Sequence, residues 1–321
     1  MKNIVTGASG FIGSNLVQKL LNDNQKIIGI DKDYNAKYRL LNVLPKNSEI
    51  PSRIVSDINK NFMMIWQNIK HIMDYHYSFE KDDIVYHLAA SSDIQRSLRD
   101  TSWDFKNNIK GTYEVLEMMR RKDISKIIFS STSALYGEKP KKRPTPENST
   151  LFPLSLYASS KICAEFLIQA YCELYGIKAY IFRFGNVIGR NQHRGVVYDF
   201  VKKLKKNTKQ LEILGNGNQV KSYFHVSDCV NAMLEIPNWK MKDKFRIYNI
   251  ATYDWINVTT VADVVCNELK LNPKYVYTGG DRGWKGDIPK ITLDISKALK
   301  TGWKPKYYGV ESIRKAVREI K

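Results

Sequence analysis

A glycine-rich turn close to the N-terminus constrains the fold more than any other feature of the sequence. A strand-like segment, Ile4–Thr6, runs directly into a turn with glycines at Gly7, Gly10 and Gly13, and an amphipathic helical pattern begins within that turn. Such glycines let the backbone turn sharply and approach a pyrophosphate, which then lies at the positive N-terminus of the helix. The spacing G-x-x-G-x-x-G differs from the commoner G-x-G-x-x-G, so the turn alone is weak evidence for a dinucleotide site.

Strand-like and amphipathic helical segments alternate through the first half of the chain, which predicts βαβ units and a parallel sheet. The predicted strands are Ile4–Thr6, Lys26–Asp31, Arg53–Ser56, Ile84–Leu88, Lys126–Ser131 and Ala179–Phe184. The predicted helices between them are Phe11–Leu21, Phe62–Tyr77, Asp93–Arg121 and Ser155–Tyr175. The regular order ends near Phe184. We therefore predict an α/β fold: a Rossmann-type, doubly wound parallel sheet over residues 1–180 and a smaller substrate-binding lobe formed mainly by 181–321, with some of the later chain returning to the first domain.

An acidic residue at the end of the second predicted strand strengthens the dinucleotide interpretation. Asp31 lies 18 residues after Gly13, close to the roughly 20 expected for a carboxylate that binds the ribose hydroxyls. A carboxylate there repels a 2′-phosphate, so the cofactor is predicted to be NAD and not NADP. Asp57 and Ile58, at the end of the third predicted strand, are placed to face the adenine.

Tyr157 and Lys161 are the candidate acid–base pair. They lie four residues apart at the start of a long amphipathic segment, and residues at this spacing share one helix face. A nearby ammonium favours the phenolate, so Tyr157 can take a proton from a hydroxyl while a hydride leaves the same carbon. Ser130–Ser133 supplies four consecutive hydroxyls at the end of the preceding strand, and Thr132 is our candidate for the one that binds the reacting oxygen.

Composition excludes several other classes of protein. Lys+Arg 51 against Asp+Glu 32 gives a net charge of +19, but the basic runs are short and no nucleic-acid-binding motif accompanies them. We expect these lysines to be a solvated surface, with no nucleic-acid partner. No run of eighteen apolar residues is present, so we expect no membrane insertion. Four scattered cysteines in apolar segments favour reduced, buried thiols in the cytoplasm and no metal site.

The sequence resembles the extended short-chain dehydrogenase/reductase family, in its NAD-dependent epimerase/dehydratase group, over nearly the whole chain. The matching segments are 6–13, 87–90, 107–112, Tyr157 with Lys161, 183–189, 211–215, 222–228 and 283–287.

The resemblance implies tightly held NAD and a C-terminal lobe that binds a nucleotide diphosphate sugar. It implies that NAD is contacted by the glycine turn, by Tyr157 and Lys161, and by Phe11, Ile12, Asp31, Asp57, Ile58, Leu88, Ala89 and Asn108. It implies that the sugar nucleotide is contacted by Thr132, Asn186, Leu211, Ile213, Leu214, Lys221 and Asp287.

Two positions depart from the family pattern. Lys221 stands where an arginine usually contacts the diphosphate, which keeps the charge and loses the bidentate fork. Trp284 replaces a second arginine, three residues before Asp287, and Arg282 is a possible substitute for it.

The reaction is narrowed by residues that are missing. Relatives that dehydrate or decarboxylate the ketosugar carry carboxylates just after the strand-end Ser/Thr, where this chain has Ser133 and Ala134. Elimination across two carbons needs a second proton acceptor. The resemblance therefore implies epimerisation at C4 of UDP-glucose or UDP-galactose through a transient 4-keto sugar. The alternatives are a 4-epimerase for UDP-GlcNAc or UDP-GlcA, a reductase of nucleotide 4-ketosugars, and a redox-sensing or nucleic-acid-binding protein that has lost catalysis.

The family resemblance also implies a homodimer. We expect two helices, Asp93–Arg121 and Ser155–Tyr175, to form a four-helix interface with apolar positions such as Leu116, Met119, Phe166 and Ala170. The alternative is that all four positions pack on the sheet.

Overall fold

The computed structural model describes residues 1–42, 44, 49–50, 55–73, 79–138 and 143–320. The strands in these ranges are β1 (Asn3–Thr6), β2 (Ile27–Asp31), β3 (Val55–Asn59), β4 (Phe62–Trp66), β5 (Ile84–His87), β6 (Lys126–Thr132), β7 (Lys178–Phe184), β8 (Asn186–Ile188), β9 (Gln210–Ile213), β10 (Val220–His225), β11 (Phe245–Ile250), β12 (Trp255–Asn257), β13 (Lys274–Tyr277) and β14 (Lys290–Ile291). The helices are α1 (Phe11–Asn22), α2 (Lys37–Leu41), α3 (Ile94–Ser97), α4 (Ser102–Asp104), α5 (Lys110–Arg121), α6 (Leu156–Tyr175), α7 (Val196–Lys206), α8 (Val226–Glu235), α9 (Val258–Leu269), α10 (Ser296–Leu299) and α11 (Gly309–Ile320).

An eight-stranded sheet forms the main layer, in the order β11-β7-β6-β5-β1-β2-β4-β3. The pairs β1–β2, β1–β5, β2–β4 and β5–β6 are parallel, and β3 joins the edge antiparallel to β4. All four residues of β1 are buried, as expected for a central strand covered on both faces. The predicted doubly wound α/β fold with a large parallel sheet is confirmed.

The segment after β2 differs from its prediction. The helix predicted over Phe62–Tyr77 is wrong, because Phe62–Trp66 forms β4, the parallel neighbour of β2. The predicted strand at Arg53–Ser56 is also displaced: residues 51–54 lie outside the described residues, and Val55–Asn59 is the edge strand β3. A short continuous apolar run fits a buried strand or a buried helix equally well, and here the strand is what forms.

The helix predicted over Asp93–Arg121 is broken into α3, α4 and α5. A π-helical segment, Phe105–Ile109, separates α4 from α5 and contains the buried Asn108. Such segments are rare and commonly occur at functional sites. The helix expected over Ser155–Tyr175 is present as α6.

The chain divides into two compact units. Unit 1 comprises Met1–Ser131, Leu156–Phe182 and Pro237–Ile247, and its core of aliphatic and aromatic side chains includes Ile4, Val85 and Phe129. Both units are discontinuous in sequence. The predicted division into a Rossmann domain over 1–180 and a lobe formed mainly by 181–321 stays a proposal.

Unit 2 comprises Thr132–Ser155, Arg183–Ile236 and Tyr248–Lys321. Its strands form a sheet in the order β12-β10-β14, with β8 also paired to β10, and a two-stranded sheet of β9 and β13. The core of the unit lies between α7, α9, α11 and these strands, and includes Phe200, Val261 and Ile313. Among the described residues, no helix is long and apolar enough to cross a membrane.

Candidate active site

The glycine turn of unit 1 is shaped by contacts that exclude any side chain. Gly7 has φ +73°, and a Cβ built on it would lie 2.8 Å from the backbone nitrogen of Ala89. A Cβ on Gly13 would lie 2.0 Å from the carbonyl oxygen of Gly7. The turn therefore lies against Leu88 and Ala89, which follow β5. Gly10 caps α1, so Phe11 and Ile12 begin a helix whose N-terminal amides are available to a pyrophosphate.

Asp31 ends β2 beside this turn. Its carboxylate accepts hydrogen bonds from the backbone N–H groups of Ser9, at 3.0 Å, and Asp33, at 3.1 Å. Burial raises the pKa of the Asp31 carboxyl, although these hydrogen bonds act in the opposite direction. The glycine cradle and the carboxylate beside it fit the pyrophosphate and the ribose of a dinucleotide.

A buried polar chain fixes the segment after β5. The Ala89 N–H donates to Thr6 Oγ1 at 3.2 Å, and Thr6 Oγ1 lies 2.8 Å from His87 Nδ1. His87 Nε2 lies 3.0 Å from Thr112 Oγ1, which donates to the carbonyl oxygen of Asn108. Since the Thr112 proton is used by Asn108, His87 donates through Nε2 and accepts at Nδ1. Burial lowers the pKa of His87 to about 3, so the ring is neutral.

Asn108 connects three parts of unit 1. Its Oδ1 accepts from the Ser91 N–H at 2.6 Å, while its Nδ2 donates to the Ser91 carbonyl oxygen and to Ser160 Oγ. Ser160 Oγ in turn donates to the carbonyl oxygen of Tyr157. The π-helical segment is thus joined to the start of α6, next to the candidate acid–base pair.

Lys161 is a buried lysine on α6. It is 2% exposed, and its Nζ lies 4.0 Å from the centroid of the Phe129 ring on β6. Burial lowers its pKa to about 7, while the charge of Glu165 acts to raise it. Glu165 is itself buried and accepts a hydrogen bond from Ser131 Oγ. Sequence reasoning missed Glu165, although the four-residue spacing from Lys161 to Glu165 could have indicated the acid. Ser131 was included only as one of four strand-end hydroxyls, with no partner assigned to it.

Asp57 and Ile58 do not lie where the sequence placed them. They belong to the edge strand β3, so the expectation that they end the third parallel strand is wrong. The strand beside β2 is β4, and the residues that follow it in the chain include Asn68 and Ile69. Asn68 and Ile69 are therefore our candidates to face the adenine.

In unit 2 the predicted substrate residues Lys221 and Asp287 form an ion pair. Lys221 Nζ lies 2.5 Å from Asp287 Oδ1, and both side chains are largely buried. The Gly283 N–H donates to the other carboxylate oxygen of Asp287. Lys221 Nζ also lies 5.1 Å from the ring centroid of Trp284.

Arg282 is held by an ion pair of its own. Its guanidinium forms a bidentate ion pair with Glu138 and donates to the carbonyl oxygen of Asp287. Its use as the substitute for the family arginine that Trp284 replaces would require this pair to open.

The remaining predicted residues of unit 2 differ in accessibility. Leu211 and Ile213 are fully buried in the core, and Leu214 is exposed, so Leu214 is the one of the three with a side chain available to a nucleobase. Asn186 donates to the Ser222 carbonyl oxygen at 3.2 Å. Thr132 Oγ1 accepts from the Ala134 N–H at 3.2 Å and begins the short 3-10 turn Ser133–Tyr136.

A parallel sheet with this glycine cradle, the ribose carboxylate and a buried lysine one helical turn from a tyrosine defines a dinucleotide-dependent enzyme. The chain belongs to the NAD dependent epimerase/dehydratase family, whose model matches residues 3–251. The predicted resemblance and the NAD cofactor are thereby confirmed. The site roles of individual residues stay proposals.

Similar proteins agree with this assignment. A relative from Methanocaldococcus jannaschii, whose name assigns it provisionally to UDP-glucose 4-epimerase, is 34% identical over 99% of this chain and 98% of its own. The solved UDP-glucose 4-epimerase of Thermotoga maritima with UDP-glucose is 30% identical, with a TM-score of 0.86 over 99% of this chain and 98% of that one. The UDP-N-acetylglucosamine 4-epimerase of Methanobrevibacter ruminantium M1, in complex with UDP-N-acetylmuramic acid, is 25% identical, with a TM-score of 0.82 over 99% and 97% of the two chains.

Proposed function

We propose that this chain interconverts UDP-glucose and UDP-galactose by inverting C4 through a transient 4-keto sugar. The observation that carries the proposal is the buried Lys161 one helical turn from Tyr157, in a chain whose strand end continues into Ser133 and Ala134. One proton-transfer group suffices for oxidation and reduction at a single carbon, and elimination of water requires another. The substrate is supported by the similarity to the Thermotoga maritima UDP-glucose 4-epimerase and to the Methanocaldococcus jannaschii relative that is provisionally named for the same activity.

We assign the acid–base chemistry to Tyr157. Its phenolate takes the proton of the C4 hydroxyl and later returns it to the oxygen of the ketone. The Lys161 ammonium stabilises the phenolate, and it does so strongly because water is excluded from around it. We assign Thr132 to the hydrogen bond that orients the reacting oxygen. Bound NAD supplies the oxidation and the subsequent reduction at C4.

Sugar-nucleotide recognition is assigned to unit 2. We propose that Lys221 contacts the diphosphate and that Asp287 contacts the ribose, with Leu214 beside the base and Asn186 near the phosphates. The ion pair between Lys221 and Asp287 holds both side chains in place before the ligand arrives. UDP-GlcNAc is the second candidate substrate, supported by the similarity to the Methanobrevibacter ruminantium enzyme.

The test is direct. The purified protein is incubated separately with UDP-glucose, UDP-GlcNAc and UDP-GlcA, with no added cofactor, and the products are separated by chromatography. The proposal expects UDP-galactose from UDP-glucose with the fastest turnover of the three. Faster conversion of UDP-GlcNAc would transfer the assignment to that substrate. Conversion of none of the three, with NADH consumed when a UDP-4-keto sugar is supplied, would favour a reductase.

A further inference from the structure

Glu165 is a buried acid that the proposed chemistry does not use. Its side chain is 1% exposed, and it lies on α6 four residues after Lys161, which is 2% exposed. Residues at this spacing share one face of a helix. A charged carboxylate in such a place costs several kcal/mol unless it is compensated by a charge of opposite sign and by hydrogen bonds.

One face of β6 supplies partners to both side chains. Phe129 and Ser131 are two residues apart, so their side chains point to the same side of the strand. The Phe129 ring lies under the Lys161 ammonium at 4.0 Å, and Ser131 Oγ donates to the Glu165 carboxylate. The cation and the anion therefore lie side by side against the same strand.

Within the part of the chain that the structure describes, two other titratable groups near Lys161 are His87 and Tyr157, and neither supplies a negative charge that could balance its ammonium before catalysis. His87, on β5, is neutral, since burial and the positive charge of Lys161 both lower its pKa. Tyr157, on α6 itself, is the group whose ionisation Lys161 is proposed to control. Desolvation lowers the pKa of Lys161, and the charge of Glu165 raises it.

We propose that Glu165 is a positioning residue: it acts as the buried counter-ion that favours the protonated form of Lys161, so that the Lys161 ammonium can stabilise the phenolate of Tyr157. The role of Tyr157 in this inference rests on the proposed function. Glu165 acts through Lys161 and not directly on Tyr157, because eight residues of helix separate Glu165 from Tyr157 by about 12 Å of rise, against about 6 Å for four residues.

The test measures the protonation of Lys161 itself by NMR of protein labelled with carbon-13 at lysine Cε. The Lys161 signal is identified by its absence in Lys161→Met. Removal of the acid charge by Glu165→Gln is expected to lower the pKa of Lys161 by at least one pH unit, a tenfold weaker binding of the proton. Glu165→Met removes the same charge with apolar atoms of similar length, so it decides the question if Glu165→Gln fails to fold.

Two comparisons separate this role from simple packing. Glu173→Gln is the matched control, because Glu173 lies on the same helix but is exposed and paired with Lys244. It should leave the Lys161 titration unchanged, and Glu165→Asp, which retains the charge, should largely restore it. An unchanged Lys161 titration in a folded variant without the Glu165 charge overturns the proposal. The titration uses no sugar nucleotide, so a failure of UDP-sugar turnover would count against the proposed function alone.

Discussion

At the scale of single residues, two side chains of α6 have different roles in the proposed reaction. We propose that Tyr157 carries the proton. Lys161 is buried, with its ammonium 4.0 Å from the centroid of the Phe129 ring. The pairing of residue types was visible in the sequence. The burial of Lys161 was not, because it arises from Phe129 on another element of the fold.

Tyr157→Phe should fold normally and bind NAD, yet lose nearly all turnover. The substitution removes one oxygen and leaves the ring, and general acid–base groups typically contribute about 10² to 10⁴-fold to a rate. Steady-state kcat for UDP-glucose measures the effect, with Tyr175→Phe on the same helix as the control that should retain full activity. If Tyr157→Phe keeps more than a small fraction of wild-type turnover, the base is assigned wrongly and the strand-end serines become the candidates.

Lys161 should give the protein a characteristic dependence of stability on pH. Its pKa is about 7 when folded and about 10.4 in an unfolded chain, so between these values the unfolded chain binds the extra proton. The free energy of unfolding contributed by this group therefore rises with pH, by at most about 1.4 kcal/mol per pH unit, and the destabilisation from burying the ammonium is fully present below pH 7.

Urea unfolding at pH 7 and pH 9 should show this rise in the wild type and lose it in Lys161→Met. Lys206→Met, at an exposed lysine, should behave like the wild type; equal slopes in all three proteins would refute a buried, desolvated Lys161.

At the scale of elements, the features encoded by adjacent residues were predicted correctly. The features that depend on contacts with other elements of the fold were not. The turn at Gly7–Gly13 and Asp31 were placed correctly, because a tight turn and a strand end are encoded by the residues that form them. Strand β4 was missed, because its apolar run is followed by Ile69 and Ile72, which extend the pattern of a buried helix. That error placed the predicted adenine contacts at Asp57 and Ile58, on the edge strand β3. The π-helical segment before α5 was also missed. It contains Asn108, whose contacts with Ser91 and Ser160 come from other parts of the chain.

The glycine turn gives a prediction about cofactor binding. Gly7→Ala should weaken NAD binding, because its Cβ would lie 2.8 Å from the Ala89 nitrogen and the turn must move. Overpacking of this kind costs about 1–3 kcal/mol, which corresponds to about fivefold to 150-fold in affinity if it falls on the bound state. Gly176→Ala is the matched control: Gly176 has a similar φ of +70°, but nothing lies within 4 Å of its added Cβ. Equal NAD affinity of the two variants, measured by calorimetric titration after removal of bound nucleotide, would mean that the close approach of the turn to Ala89 is irrelevant to the cofactor.

At the scale of the whole molecule, we expect a homodimer, and the structure changes the residues that support it. Leu116 and Met119 are fully buried in the core of unit 1, so the expectation that they form the interface is wrong. Phe166, Ala170 and Leu174 are exposed and four residues apart, which makes an apolar stripe along α6. Phe166 is 57% exposed and Leu174 72% exposed, and exposed apolar patches of this kind commonly mark protein interfaces.

Leu174→Glu should therefore convert a dimer into a monomer, because it would place a charge within the proposed apolar interface. Light scattering at micromolar concentration measures the mass, for which one chain is 37.1 kDa. Tyr253→Glu, at an exposed aromatic residue of unit 2, is the control that should remain dimeric. A wild-type protein that is monomeric under the same conditions would remove the proposed dimer.

The central claim is that hydrogen leaves C4 and returns to the same carbon within one catalytic cycle. The most direct measurement uses UDP-glucose labelled with deuterium at C4, with no cofactor added, and follows the product by NMR. We predict UDP-galactose with the deuterium retained at C4 and no reduced cofactor released into solution. Deuterium lost to water, or found at C6 of a 4-keto-6-deoxy sugar, would contradict the account, because it would show proton exchange or elimination in place of epimerisation at C4.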